Sequence, residues 1–261
     1  MSKKQKILIL SDLKSDTPIV LSQAIALSKL IPSDLEFLHV KKPTELVKTA
    51  SQLSAVRVIN ESTKIAKKKI KELLDPISET YGTKVNYKYS FGNIKNEIEK
   101  YINSSKPDII VLGKRRSNTL SFVGDNIIDF VLKSHKGAVF IASSNSKLTP
   151  EAQLSVGLFN QDESNLKSND LMTNLIEYSA TPIRHFKIGS RSDSDKKNDT
   201  FLSKKTVEYE FENSSEVLST IANYIPKSNV NLLCLDRNSN SNKSKNIKEI
   251  IKSVKISTLI T

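Results

Sequence analysis

The sequence predicts an α/β fold made of two tandem domains, each a doubly wound parallel sheet of Rossmann-like form. Three observations carry this. Apolar runs of strand length alternate with amphipathic stretches of helical period over about the first 143 residues. Several of those runs, IIVL at 109–112 among them, are apolar without alternation, as strands covered on both faces are. After the polar linker at 143–150, SSNSKLTP, the same order of runs returns in shortened form.

The first strand is KILILSD at 6–12, an apolar run closed by a carboxylate. Pro18 then opens a helix to about residue 31, with Leu21, Ala24, Ile25 and Leu27 or Leu30 at helical spacing. LEFLHV at 35–40 is the second strand. From 43 to 81 the pattern is helical, with Leu46, Leu53, Ile59, Ile70 and Ile77 on one stripe and lysines opposite. That length suits one extended helix or two, and Pro76 is expected to kink or end it. Val85, Tyr87 and Tyr89 alternate with polar residues through a third strand at 85–91, and Gly92 and Asn93 turn the chain into a helix at 94–102.

The fourth strand ends at Gly113. Residues 114–119 follow as a loop with three positive charges and no apolar side chain. Gly124, Asp125 and Asn126 lead into a helix in which Ile127, Ile128, Val131 and Leu132 share a face, Asp125 or Asn126 serving as N-cap. The fifth strand is AVFIA at 138–142. Right-handed crossovers join these strands into one parallel sheet. The domain boundaries expected are 1–145 and 151–261.

The repeat is read from fixed offsets. Adding 148 lays LSVGLFN at 154–160 on the first strand, with Asn160 over Asp12, and IRHFKI at 183–188 on LEFLHV. Adding 120 lays YEFEN at 209–213 on YSFGN at 89–93, so about 28 residues are missing where the long second helix stood. Adding 123 lays NLLCLDR at 231–237 on DIIVLGK at 108–114. Asp236 therefore stands in place of Gly113, and the following NSNSNKSKN holds no glycine before a helix expected at 247–254. Residues 189–205 are polar, charged and poor in apolar side chains, and a loop is expected there.

Composition narrows the function classes. The chain has 261 residues, 38% of them hydrophobic, enough for a sizeable core. No run approaches the about 18 apolar residues of a membrane span, and the first residues do not form a signal peptide, so a cytoplasmic setting is expected. The single cysteine, Cys234, lies within an apolar run and reads as a buried thiol, while His39, His135 and His185 have no metal-ligand spacing. The net charge of +12 raises nucleic acid as a partner. The lysines, however, lie along helix faces and loops with few aromatics among them, which describes a solvated face and no specific nucleic-acid site.

The stretch from Gly113 to Asn126 resembles the nucleotide site of the universal stress protein family, whose pattern is G-x-x-G, nine residues, then G-S or G-T. Gly113 fits the first glycine, Arg116 stands at the second, and Gly124 follows after seven residues with Asp125 where the hydroxyl belongs. The resemblance implies a cytosolic stress-response protein that binds adenine nucleotide in some members and none in others. It also implies a site: Asp12 at the nucleoside end, His39 and Val40 passing the adenine, and Gly113 and Gly124 allowing close backbone approach. Lys114, Arg115 and Arg116 would screen phosphates, and Asn126 would replace the hydroxyl donor. Each has a plainer role beside it. Asp12 would cap a loop, His39 end a strand, the basic residues face water, and the glycines serve turn geometry.

Two functions follow. The first is a non-catalytic regulatory protein acting through interaction surfaces with weak or no ATP binding, because Arg116 fills space and the Asp125 carboxylate opposes a polyphosphate. The alternative is an adenine-nucleotide-binding protein holding ATP or AMP, with Mg, in its first domain. The two domains would pair within the chain as a pseudo-dimer, with further association into a homodimer open. No phosphate loop, nucleophile elbow or Cys/His pairing supports an enzyme.

Overall fold

A computed structural model describes residues 4–43, 52–114, 127–161, 166, 168–189, 200–201, 204–237 and 241–261. Its chain divides into two compact units, Met1–Ser28 with Pro32–Val139, and Lys29–Ile31 with Phe140–Thr261.

In unit 1, strands β1 (Gln5–Leu10), β2 (Ser33–Lys41), β3 (Val85–Phe91) and β4 (Ile109–Gly113) pair in the order β3-β2-β1-β4, all parallel. The helices are α1 (Thr17–Leu30), α2 (Gln52–Tyr81), α3 (Ile94–Ser105) and α4 (Ile127–Ser134). Strand β5 (Ala138–Ala142) begins where the Ala138 N–H donates to the Asp108 carbonyl at 3.0 Å. β1 is central, and Ile7, Leu8 and Ile9 on both its faces are fully buried. That burial is why the run lacks alternation.

Helix α1 is apolar on most sides, from Val20 and Leu21 through Ala24 to Leu27, and these positions are buried. Among the described residues of α2, Ala66, Ile70 and Leu74 form a buried row, and Lys67, Lys68 and Lys71 face water. Pro76 neither ends it nor sits at its end: the helix runs on to Tyr81. Pro76 and Glu72 are both exposed, so a proline here displaces no buried backbone hydrogen bond partner. Asn93 caps α3, accepting from Asn96 N at 3.2 Å, and Lys106 closes it in the left-handed region.

The opposite end of the sheet from the strand C-termini is tied by Asp108. Its N–H donates to Lys6 O at 2.9 Å, and its Oδ2 accepts from Lys6 N at 2.7 Å. Gly137 packs against it so closely that a Cβ would lie 2.4 Å from Asp108 O.

Unit 2 contains β6 (Val156–Phe159), α5 (Asp170–Tyr178), β7 (Ile183–Ile188), β8 (Thr200–Phe201), β9 (Lys204–Phe211), α6 (Val217–Tyr224), β10 (Leu232–Leu235), α7 (Ser241–Ser253) and β11 (Ser257–Ile260). Its strand order is β11-β10-β6-β7-β9-β8, parallel except for β8 on β9. β9-β7-β6-β10 thus repeats the order β3-β2-β1-β4. Two expectations change. The stretch at 189–205 is not all loop, since Thr200 and Phe201 pair with Lys205 and Lys204; residues 190–199 and 202–203 lie outside the described residues. α7 begins at Ser241, six residues before the apolar run that signalled it. Among the described residues no helix is long and apolar enough to cross a membrane.

Two outcomes are expected of this packing. Gly137→Ala should lose about 1–3 kcal/mol in urea unfolding because backbone must shift, whereas Gly189→Ala, with nothing within 4 Å, should be near neutral. Cys234 is fully buried and burial pushes its thiol pKa up. The unfolded thiol ionises near 8.5 while the folded one stays protonated, so stability is full below about pH 8.5 and falls by up to about 1.4 kcal/mol per pH unit above it. Cys234→Ala should flatten that slope.

Candidate functional site

The candidate site is the crevice beyond the C-terminal ends of β1, β2 and β4, where open α/β sheets hold ligands. Its shape comes from strand lengths. β1 ends at Leu10, opposite Leu38 of β2 and Leu112 of β4. One further bond, Ser11 N–H to Leu38 O at 3.2 Å, closes that ladder. β2 continues, pairing His39, Val40 and Lys41 with Tyr89, Ser90 and Phe91 of β3.

Alternation along β2 then fixes where the backbone points. Leu38 faces β1, and Lys41 faces β3, where its carbonyl accepts from Gly92 N at 3.0 Å. Val40 therefore turns its N–H and C=O to the side that β1 has vacated. Among the described residues none bonds it there.

The β1–α1 loop forms the floor. Leu13 has φ of 57°, a left-handed conformation unusual for a branched residue, and its buried side chain anchors it. Side chains complete the turn: Ser11 Oγ accepts from Leu13 N at 3.1 Å and lies 2.8 Å from Thr17 Oγ1. Lys69 reaches across from α2 and donates to Leu13 O at 2.7 Å. His39 Nδ1 is 2.8 Å from Ser11 O, and because a carbonyl only accepts, Nδ1 carries the proton. Asp12 is exposed, its Oδ1 accepting from Lys14 N at 3.1 Å and its Oδ2 lying 3.9 Å from Lys14 Nζ.

At the end of β4, a Cβ on Gly113 would meet Val20 Cγ2 at 2.9 Å, so α1 packs onto the strand where a side chain would stand. Lys114 is half-buried, and burial lowers its ammonium pKa. Asp12, His39, Val40, Gly113 and Lys114 thus all lie at one end of the sheet. Arg115, Arg116, Gly124, Asp125 and Asn126 lie outside the described residues, as does the expected N-cap of α4. Ser11, Thr17 and Lys69 were not among the sequence-derived candidates. Ser11 and Thr17 carried a signal, two hydroxyls flanking a strand-to-helix turn, but nothing local marks Lys69. Among the described residues no three His, Cys, Asp or Glu side chains gather as metal ligands would.

Unit 2 has a corresponding end. Asn160 N–H donates to Phe186 O at 2.9 Å, as Ser11 does to Leu38. The overlay of Asn160 on Asp12 therefore shifts by one: Asn160 occupies the place of Ser11, and Gln161 that of Asp12. Gln161 is buried, and its N–H donates to Nε2 of the fully buried His185 at 3.3 Å. Nδ1 of that ring, 3.5 Å from Glu208 Oε1, then holds the proton. Beyond β10, Arg237 N–H donates to Thr261 O at 2.7 Å, carrying the β10–β11 ladder one step further.

A sequence profile of the universal stress protein family matches residues 4–141. No curated protein matches significantly. Among solved structures, a universal stress protein from Archaeoglobus fulgidus DSM 4304 aligns with 98% of this chain and 95% of its own, at 14% identity and a TM-score of 0.72. A functionally unknown protein from Pseudomonas aeruginosa PAO1 aligns with 98% of this chain and 92% of its own, at 10% identity and a TM-score of 0.57. At such identities the likeness is one of fold.

If Lys69 holds the loop floor, Lys69→Met should cost no more than about 1 kcal/mol overall, as for an exposed donor. It should still speed amide exchange at Leu13 and Lys14 several-fold, with β4 amides unchanged, in a hydrogen-exchange comparison.

Proposed function

The chain belongs to the universal stress protein family, and from that premise we propose a non-catalytic regulatory protein whose first unit takes an adenine nucleoside or AMP and binds ATP weakly or not at all. The observation that carries this is the backbone of Val40. A paired N–H and C=O turned into a crevice beside the exposed Asp12 carboxylate is a donor–acceptor edge that matches an adenine ring nitrogen and its amino group. The weak triphosphate affinity is argued from sequence, Arg116 and Asp125 standing where a glycine and a hydroxyl would serve a phosphate chain. The same two residues favour a second reading, in which the protein acts through interaction surfaces alone.

A cytoplasmic setting belongs to this proposal. So does the view that the two units are a covalently joined counterpart of a subunit pair, supported by their common strand order. Association of whole chains into a homodimer is a separate matter, read from the mass in solution.

Thermal-shift measurements with adenosine, AMP and Mg-ATP test the ligand. A ligand at a hundred times its Kd stabilises by about 2.7 kcal/mol, so adenosine and AMP should raise the melting temperature by on the order of 5–10 °C and Mg-ATP by less. A larger shift with Mg-ATP would remove the claim of weak triphosphate binding. A flat response to all three would leave only the interaction reading.

A further inference from the structure

We propose that Asn160 is a built-in occupant of the crevice in unit 2, its carboxamide taking the backbone donor that unit 1 leaves to a ligand. Leu38 and Phe186 hold equivalent places, since each carbonyl accepts the last bond from the neighbouring central strand, from Ser11 N and Asn160 N respectively. Two residues on, Val40 and Ile188 are then equivalent, and both turn their N–H to the side beyond the shorter strand.

Their fates differ. In unit 1 the residue at the strand end is Ser11, whose hydroxyl is engaged with Leu13 N and Thr17 Oγ1, so it does not reach Val40. In unit 2 the residue is Asn160, one methylene-bound amide longer, and its Oδ1 accepts from Ile188 N at 2.9 Å. Asn160 does this from the left-handed region, with φ of 45°, a conformation asparagine tolerates better than most residues. The bond is the one a ring nitrogen acceptor would make.

A second observation agrees. Gln161, next along, is buried with its N–H on His185, whereas Asp12 at the corresponding place is exposed. Unit 2 has turned inward the residue after the strand end that unit 1 keeps exposed, while Asn160 and Ser11 are both half-buried. The chain thus offers one nucleobase position and carries a permanently filled copy of it. The inference rests on the reading of Val40 as a ligand-facing donor.

Amide exchange followed by NMR on the isotopically labelled full chain tests it. Without ligand, the Ile188 amide should exchange slowly. Asn160→Gly keeps the left-handed backbone and removes the acceptor, and should speed Ile188 exchange roughly tenfold, the protection of one hydrogen bond. The Leu158 and Phe186 amides should keep their rates. Asn160→Asp, which retains an acceptor oxygen, should preserve the protection and guards against a folding defect in the glycine variant. In the wild type, saturating adenosine should slow Val40 and leave Ile188 unmoved. Unchanged Ile188 exchange in Asn160→Gly, or a wild-type Ile188 that responds to adenosine, would overturn the proposal. If Val40 ignores adenosine while Asn160→Gly still frees Ile188, the nucleoside reading of unit 1 falls and the Asn160 contact stands.

Discussion

Strands of a parallel sheet need not end level, and a backbone that outruns its neighbour must find partners for what it exposes. In unit 1 this mismatch lies between β1, which stops at Leu10, and β2, which runs to Lys41. Much of the described geometry at that end of the sheet is a response to it. Ser11 closes the ladder with its N–H and turns the chain with its hydroxyl. The buried Leu13 side chain holds the loop in a conformation it would not choose alone, and His39 and Lys69 secure the carbonyls of Ser11 and Leu13. Those groups are satisfied internally. Val40 faces the gap.

The first turn of α1 shows how thoroughly that internal satisfaction is carried through. Its amides bond to local carbonyls, Thr17 N to Lys14 O and Ile19 and Val20 N to Asp16 O. Backbone donors aimed at an anion would have to come from elsewhere than this helix. Unit 2 meets the same mismatch between β6 and β7 and resolves it with one longer side chain. Two copies of one topology thus differ in whether the gap is left or filled, through the residue that follows the central strand.

β1 and β4 were legible because strands buried on both faces are apolar without alternation, β3 because it alternates, and β3 and β5 fall at the expected residues. Unit 2 was legible only where it echoes unit 1. Helices α5 and α6 and strand β11 went unread: DLMTNLIEY, VLSTIANY and STLI are too short for period to separate helix from strand. The start of α7, SNKSKN, has a loop's composition, and its helical state follows from the apolar run it precedes. At the site, Asp12, Val40 and Gly113 were marked by strand ends. Lys69 was not, because its bond joins residues 56 apart in sequence. The offset that laid Asn160 on Asp12 was wrong by one residue, an error hydrophobic matching cannot detect when both candidates are polar and follow the strand.

Gly113 shows why a motif glycine is weak testimony for a ligand. Its missing Cβ leaves the space that Val20 Cγ2 of α1 packs against, a reason for glycine that involves no ligand. A glycine with two independent reasons to be present cannot discriminate between them. Val40 differs, because its side chain plays no part: β2 is longer than β1 by enough to carry one donor and one acceptor past the ladder. Strand length, unlike the glycine, has a counterpart within the same chain, since Asn160 Oδ1 accepts from Ile188 N at the equivalent overhang of unit 2. Val40 and Ile188 therefore differ where the two units' loop motifs do not discriminate: one overhang is open and the other is bonded within the chain.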